Sequence, residues 1–278
     1  MKNSIRIFLA VPLLILTGCT SLEKLYLSEI KAELAKHPAS LRDTITEKDI
    51  AFLPEPVQRY FKYCGYLGKE KMINARIEWK HFALRLDPKK DWMEAECAQF
   101  NSVPEPTRIV YMESNIWGLF PFEGRDKFQD GCGNMFIKLV KMFTIADAKG
   151  NEMDTSGLVT VLAEALIVPS YALQSYITWT PIDSMAAKAT IRFRGTEVSG
   201  VFYFNEVGEN IRFETSDRYQ SQKDGTNKRM TWWVVPGNYQ EKRGIRFPSS
   251  ISALWKAEGG DHEYVRGTIS NIEFNVKE

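Results

Sequence analysis

Residues 198–219, VSGVFYFNEVGENIRFETSDRY, carry the pattern that decides the fold. After the loop at 205–209, one set of side chains alternates with a strongly polar set: Ile211, Phe213, Thr215 and Tyr219 alternate with Arg212, Glu214, Ser216 and Arg218. A strand with one buried and one solvated face has this two-residue period. The preceding apolar run and the loop complete the pattern of a β-hairpin. The sequence therefore predicts an antiparallel hairpin with Arg218 on its polar face.

The same period occurs in both halves of the chain. Residues 75–81 alternate between apolar and charged side chains, and the phase reverses at 82–86, which indicates a bulge or a bend. Closely spaced turns separate further strand-like runs at about 92–100, 107–117, 176–181, 186–193, 229–235, 245–255 and 264–276. Since no linker or low-complexity tract interrupts the series, we expect a single, mainly antiparallel β domain over residues 46–278.

Three segments near the N-terminus have the signals of helices. Residues 22–34 place apolar side chains four apart with charged ones between them, which predicts an amphipathic helix. Thr46 and Asp49, three residues apart, resemble a capping box at the start of a second helix. Pro56 suits the first turn of a third helix, and Gly65 suits the position just after its end. We therefore expect N-terminal helices ahead of the first strand.

A fourth helix is predicted between the strands, and its composition is unusual. Residues 157–168 are almost all apolar, and Pro169 follows them. Ser156, Thr160 and Glu164, spaced four apart, form one narrow polar stripe. A helix that is apolar on most sides is buried on most sides. We therefore expect it to pack against the concave face of the sheet.

The first 19 residues, MKNSIRIFLAVPLLILTGC, resemble the export signal of a bacterial lipoprotein. Two basic residues precede an apolar run at 7–16, which is too short to span a bilayer as a lasting helix. The run ends in LTGC, similar to the lipobox in which the cysteine is lipidated after export. The resemblance implies a signal peptide over 1–18, lipidation of Cys19 and a lipidated tether over 19–45. Thr20 stands where aspartate would signal inner-membrane retention, which favours the outer membrane. No acidic run follows at 21–24, which favours the periplasmic face over the cell surface.

Charge and motif content exclude several functional classes. Lysine and arginine number 36 against 35 for aspartate and glutamate, so the basic excess of a nucleic-acid-binding protein is missing. The sequence contains no nucleophile elbow, zinc-binding helix or phosphate-binding loop. Besides Cys19 there are three cysteines, Cys64, Cys97 and Cys132, an odd number whose pairing stays open. We expect no metal or other cofactor.

Five stretches resemble an uncharacterised bacterial family of exported or membrane-anchored proteins. They are LPEPVQRY at 53–60, AEALIVPS at 163–170, WTPID at 179–183, VSGVFYFN at 198–205 and the region 255–275. Together they span about residues 50–276. More distantly, the run of antiparallel strands with a helix against one face is similar to the lipoprotein-carrier (Lol-type) half barrel. In that fold a curved sheet and a helical plug enclose an apolar cavity for acyl chains. The resemblance implies a fold of this kind and assigns no activity.

These observations favour a membrane-anchored periplasmic lipoprotein that binds an apolar or lipidic ligand. The predicted cavity residues are one stripe of the fourth helix and one tryptophan of a later strand, namely Leu158, Val161, Leu162, Ala165 and Trp232. Two alternatives stay open: an envelope hydrolase that uses Glu164 as acid or base, and an envelope scaffold without a ligand. The membrane is the one partner indicated, and protein partners stay unknown.

Overall fold

The structure is a computed structural model that describes residues 21–38, 43–116, 119–222, 224–257 and 259–277. The predicted signal peptide, 1–18, and Cys19 lie outside these residues. The helices are α1 Leu22–Lys36, α2 Glu47–Ile50, α3 Glu55–Cys64 and α4 Asn151–Ala163, with a 3₁₀ helix at Pro169–Leu173. The strands are β1 Asn74–Leu84, β2 Met93–Glu94, β3 Glu96–Ser102, β4 Thr107–Ile116, β5 Phe120–Gln129, β6 Cys132–Leu139, β7 Phe143–Ala148, β8 Ile177–Asp183, β9 Ala186–Phe193, β10 Thr196–Phe204, β11 Asn210–Ser221, β12 Asn227–Lys242, β13 Ile245–Trp255 and β14 His262–Phe274.

These strands form one continuous antiparallel sheet with two arms. Strands β3 to β7 follow one another along the first arm, and β14 back to β8 follow one another along the second. The long strand β1 joins the arms because it pairs with β3 on one side and β14 on the other, while β2 pairs with its end. Neighbours in space are therefore neighbours in sequence almost everywhere. The predicted mainly β, antiparallel fold with N-terminal helices is confirmed.

Helix α4 shows that the sheet is curved. It contacts β4, β5 and β6 of the first arm and also β9, β10 and β11 of the second. One helix can touch both arms only if the sheet wraps around it, which confirms the predicted helix on the concave face of a half barrel. Two glycines permit the close approach, because a Cβ at Gly133 would lie 2.1 Å from the carbonyl oxygen of Met153 and one at Gly157 would lie 2.8 Å from the ring of Phe128.

Helix α1 packs on the opposite, convex face of the sheet. Its buried residues, among them Leu22 and Tyr26, cluster with Phe100 of β3 and Ile109 of β4. Side chains of adjacent strand residues point to opposite faces. Gln99, which is next to Phe100, therefore faces the concave side, as do the residues two positions away from it in β3. The helix that the sequence assigns to the tether region thus lies against the sheet along its own length.

The short helices α2 and α3 close one side of the main core. The predicted capping box is present, with the Asp49 amide donating to the Thr46 hydroxyl at 3.3 Å and the Thr46 amide donating to Asp49 at 2.8 Å. Hydrogen bonds from Thr46 and then Lys71 lower the pKa of Asp49 to about 2. In α3, Tyr60 is buried and its hydroxyl donates to the Leu166 carbonyl oxygen at 2.7 Å. The Tyr60 hydrogen bond thus fixes the segment that follows α4.

The observed α4 differs from the prediction, which placed it over 157–168. It begins at Asn151 after Gly150 and ends at Ala163, and turns follow as far as the 3₁₀ helix. Two polar side chains near its start bind the sheet, because Asp154 accepts from the Gly133 amide at 2.7 Å and Ser156 accepts from the Tyr219 amide at 3.1 Å. Tertiary contacts with the sheet thus help to set where this helix begins.

Candidate functional site

A cavity of about 220 Å³ lies between α4 and the concave face of the sheet. Strands from both arms contribute apolar walls, among them Ile77, Phe82, Val110, Met112, Val234 and Ile251. The volume is a little below the range of about 300–1,000 Å³ that is usual for small-molecule sites. A larger groove of about 1280 Å³ runs past Lys80 and Glu113, but its wall carries lysines and glutamates, as is ordinary for a solvent-filled surface cleft.

The structure places the predicted stripe of α4 away from this cavity. That stripe consists of Leu158, Val161, Leu162 and Ala165, and all four side chains are fully buried in the main core. The cavity is lined instead by the neighbouring face, which carries Thr160, Ala163, Glu164 and Ile167. The most apolar stripe packs into the closed core, so a ligand in the cavity would contact the adjacent face. Of the predicted set, Trp232 lines the cavity.

Arg218 also lines the cavity, although the alternation of β11 predicts it on the polar outer face. The pairing of β11 with β12 shifts register between Thr215 and Arg218, which is the mark of a β-bulge. Its guanidinium carbon lies 4.3 Å from the ring centre of Trp232. One guanidinium nitrogen donates to the Ser156 carbonyl oxygen at 2.8 Å and to the Thr160 hydroxyl. Arg218 therefore fastens α4 to the second arm and presents a cation beside the cavity.

Glu164 is held by the first arm through both of its oxygens. One oxygen accepts from Gln99 at 2.9 Å and from Asn101 at 2.8 Å, and the other accepts from Nε of Arg108 at 2.7 Å. Arg108 also donates to Asp126 at 2.6 Å. Burial works to lower the pKa of Arg108, but the charges of Glu164 and Asp126 outweigh it and raise that pKa above its usual range. The result is a buried, mutually satisfied network.

This network bears on the hydrolase alternative. A general acid or base must exchange a proton with a substrate within hydrogen-bond reach. The oxygens of Glu164 already accept from three protein donors, and the residue is 9% exposed. Its geometry is that of a structural ion pair joining α4 to β3 and β4. Sequence reasoning did not identify the partners Gln99, Asn101 and Arg108. What the three share is a polar side chain at a strand position that faces the concave side of the sheet.

Other site types find no support in the part of the chain that the structure describes. Over those residues, no group of three or more His, Cys, Asp or Glu side chains is arranged to hold a metal. Cys64 is buried, Cys97 is half-buried and Cys132 is exposed, and all three are free thiols. No helix within the same ranges is long and apolar enough to cross a membrane.

An antiparallel meander curved around one helix, with an apolar cavity between the two, defines a half barrel. The chain belongs to DUF6544, a family of unknown function that matches residues 43–267. The predicted membership of an uncharacterised family is therefore confirmed. Among curated proteins no sequence matches this chain.

Three solved structures are similar in fold. A LolA superfamily protein from Nitrosomonas europaea is 9% identical, with a TM-score of 0.45 over 80% of this chain and 94% of its own. A domain described as an outer membrane lipoprotein-sorting protein, from Vibrio parahaemolyticus, is 9% identical, with a TM-score of 0.42 over 72% and 85%. A DUF1329 family protein from Desulfovibrio piger is 11% identical, with a TM-score of 0.44 over 84% and 95%. At these values the likeness is one of overall architecture and carries no argument about function.

Proposed function

We propose that this protein is a lipoprotein of the bacterial envelope, anchored in the outer membrane through Cys19, that binds an apolar or lipidic ligand in the cavity beneath α4. The observation that carries the ligand is the cavity itself. Protein interiors are close-packed and contain few voids larger than a water molecule. The apolar walls of a cavity of about 220 Å³ lack packing partners on their inner side, and a ligand that fills it supplies those contacts.

The polar groups around the cavity indicate what else the ligand carries. Nε of Arg218 and Nε1 of Trp79 are buried and have no hydrogen-bond partner among the described residues, and both side chains line the cavity. Buried donors without acceptors are costly. An apolar ligand with at least one acceptor oxygen, such as an acyl ester or a fatty acid carboxylate, would satisfy one or both of them.

The ligand is tested by titration with a lipophilic fluorophore whose emission rises in an apolar site. The purified protein is expected to bind one equivalent saturably. A long-chain fatty acid is expected to displace the fluorophore, and a short-chain acid with the same carboxylate is not, because it lacks the apolar area to bury. Absence of saturable binding would contradict the ligand proposal.

The anchor rests on the LTGC sequence and on the short distance to the folded chain. Helix α1 begins at Leu22, three residues after Cys19. Several acyl chains on one residue hold a protein on a membrane almost irreversibly, since each buried methylene contributes about 0.8 kcal/mol. Cys19→Ser is expected to move the protein into the soluble envelope fraction and to stop palmitate incorporation. A Ser variant that resists carbonate extraction would contradict the lipid anchor.

A further inference from the structure

We propose that one end of the half barrel rests on the membrane and inserts apolar side chains among the lipids. The inserted group, called here the apolar tip, consists of Leu119, Phe120, Met142, Phe143 and Ile145. Their exposed fractions are 77%, 44%, 63%, 63% and 54%. The proposal rests on the lipid anchor proposed above and is independent of the ligand.

The apolar tip is one continuous surface. It is built from the start of β5 and from the turn between β6 and β7. The Val140 amide donates to the Pro121 carbonyl oxygen at 2.6 Å, which holds that turn against β5. Leu139 pairs with both Phe122 and Phe143, so β5, β6 and β7 lie side by side at this end. Isolated exposed apolar residues are ordinary, whereas a contiguous group marks an interaction surface.

Helix α1 points its N-terminus toward the apolar tip. The amide of Leu22 donates to Glu123 of β5 at 3.4 Å. Four residues further from the apolar tip, Lys127 of β5 donates to Glu29 at 2.7 Å. The helix therefore runs along β5 away from the apolar tip, and the chain that precedes Leu22 leaves the fold at the apolar-tip end.

Chain geometry then brings the anchor and the apolar tip to the same surface. Cys19 precedes Leu22 by three residues, so its Cα lies within about 11 Å of that of Leu22 at full extension. Phe120 precedes Glu123 by three strand residues, a distance of about 10 Å. The acyl chains on Cys19 lie in a membrane, so the nearest apolar phase for the apolar tip is the same membrane. We therefore assign the apolar tip to a lipid surface and not to a protein partner.

The same orientation directs the open rim of the cavity toward the bilayer. Leu86 is the most exposed of the lining residues, at 74%, and it follows the end of β1. The pairing of β1 with β3 and of β3 with β4 places the end of β1 beside the end of β4, from which the chain continues to the apolar tip. A lipidic ligand would then pass between membrane and cavity without crossing open water.

The test locates two fluorescent probes on the full, lipidated protein in phosphatidylcholine vesicles. One probe is attached at Phe143→Cys in the apolar tip. The matched control is Val207→Cys, 59% exposed in the loop between β10 and β11 at the other end of the strands. Both proteins carry Cys97→Ala and Cys132→Ser, which remove the two free thiols that are not fully buried. Burial raises the pKa of the remaining Cys64 thiol to about 12, so that site stays unlabelled at neutral pH.

Brominated phosphatidylcholine is expected to quench the probe at 143 at least twofold and to leave the probe at 207 unchanged. Leu119→Asp with Met142→Asp should abolish that quenching while leaving circular dichroism unchanged, because both side chains are exposed. Protein that sediments with vesicles but shows no quenching at 143, or quenching that survives the double substitution, would overturn the apolar-tip proposal and leave the anchor intact. Protein that stays in the supernatant would overturn the anchor and this proposal together.

Discussion

Replacing Ala163 by phenylalanine is expected to fill the ligand cavity, whereas the same change at Ala165 is expected to disrupt the core. Ala163 is the last residue of α4, and Ala165 lies two residues further along the chain, in the turns that follow the helix. Ala163 is 6% exposed and lines the cavity, while Ala165 is fully buried in the main core and does not line it. The added group is identical, so the difference between the variants measures the room available at each site.

The expected magnitudes differ clearly. A cavity of about 150 Å³ is enough to hold benzene, so a phenyl ring at 163 would occupy most of the 220 Å³ present. The cost in unfolding free energy at 163 is then near the difference in helix propensity, about 0.5 kcal/mol. At Ala165 the ring meets closely packed atoms, and overpacking of that kind costs about 1–3 kcal/mol.

Urea denaturation gives the two stability changes, and fluorophore titration gives the binding of each variant. Ala163→Phe is expected to keep its stability and lose at least tenfold in affinity. Ala165→Phe is expected to lose stability and, where it remains folded, to keep the affinity of the unchanged protein. Equal destabilisation by both changes would show that the cavity is not open space in solution. Full binding by Ala163→Phe would show that the ligand lies elsewhere.

Three further predictions concern the Arg108 network, the capping box and the free cysteines. Arg108→Leu leaves the buried Glu164 and the half-buried Asp126 without their cation and should cost about 3–5 kcal/mol in urea denaturation. Arg192→Leu breaks an exposed pair and should cost less than about 1 kcal/mol; similar losses would contradict the network. The pKa of Asp49 is lowered from 3.8 to about 2, so its contribution to stability is complete above about pH 4 and is lost as the pH falls toward 2. In thermal melts between pH 4 and pH 2, the melting temperature of Asp49→Asn should therefore fall less than that of the unchanged protein. At pH 8 iodoacetamide should modify the exposed Cys132 and spare Cys64, because burial raises the pKa of the Cys64 thiol to about 12. Equal labelling of the two cysteines in mass spectrometry would refute the burial of Cys64.

Strands with one wet face were predictable from the sequence, since burial imposes the two-residue period. Strands β9 and β13 have the bounds that the alternation predicts, 186–193 and 245–255. Strands β5, β6 and β7 were not predicted. Burial along β5 and β6 does not alternate between successive residues, and the edge strand β7 is exposed along nearly all of its length, so no buried face sets a period. The family resemblance placed the helix against the concave face, but the start of α4 depended on tertiary partners that local sequence does not reveal.

The site was less predictable than the fold for two physical reasons. A closed core and an apolar cavity select the same side chains, so the sequence alone cannot distinguish the face of Leu162 from that of Ala163. A single bulge also reverses which side of a strand a residue faces, and this is how Arg218 enters the concave side. Glu164 was recognised as unusual, but its partner Arg108 lies on a strand 56 residues earlier. Only the curvature of the sheet brings the two together.

Native mass spectrometry of the purified, lipidated protein tests the central claim most directly. The proposed function predicts a species heavier than the lipidated chain by one noncovalent lipid, and organic extraction should remove that extra mass. Ala163→Phe, prepared in the same way, should appear at the mass of the lipidated chain alone. A wild-type protein that carries no extra mass under gentle conditions, and that also fails to bind the fluorophore, would contradict the assignment of this cavity to a ligand.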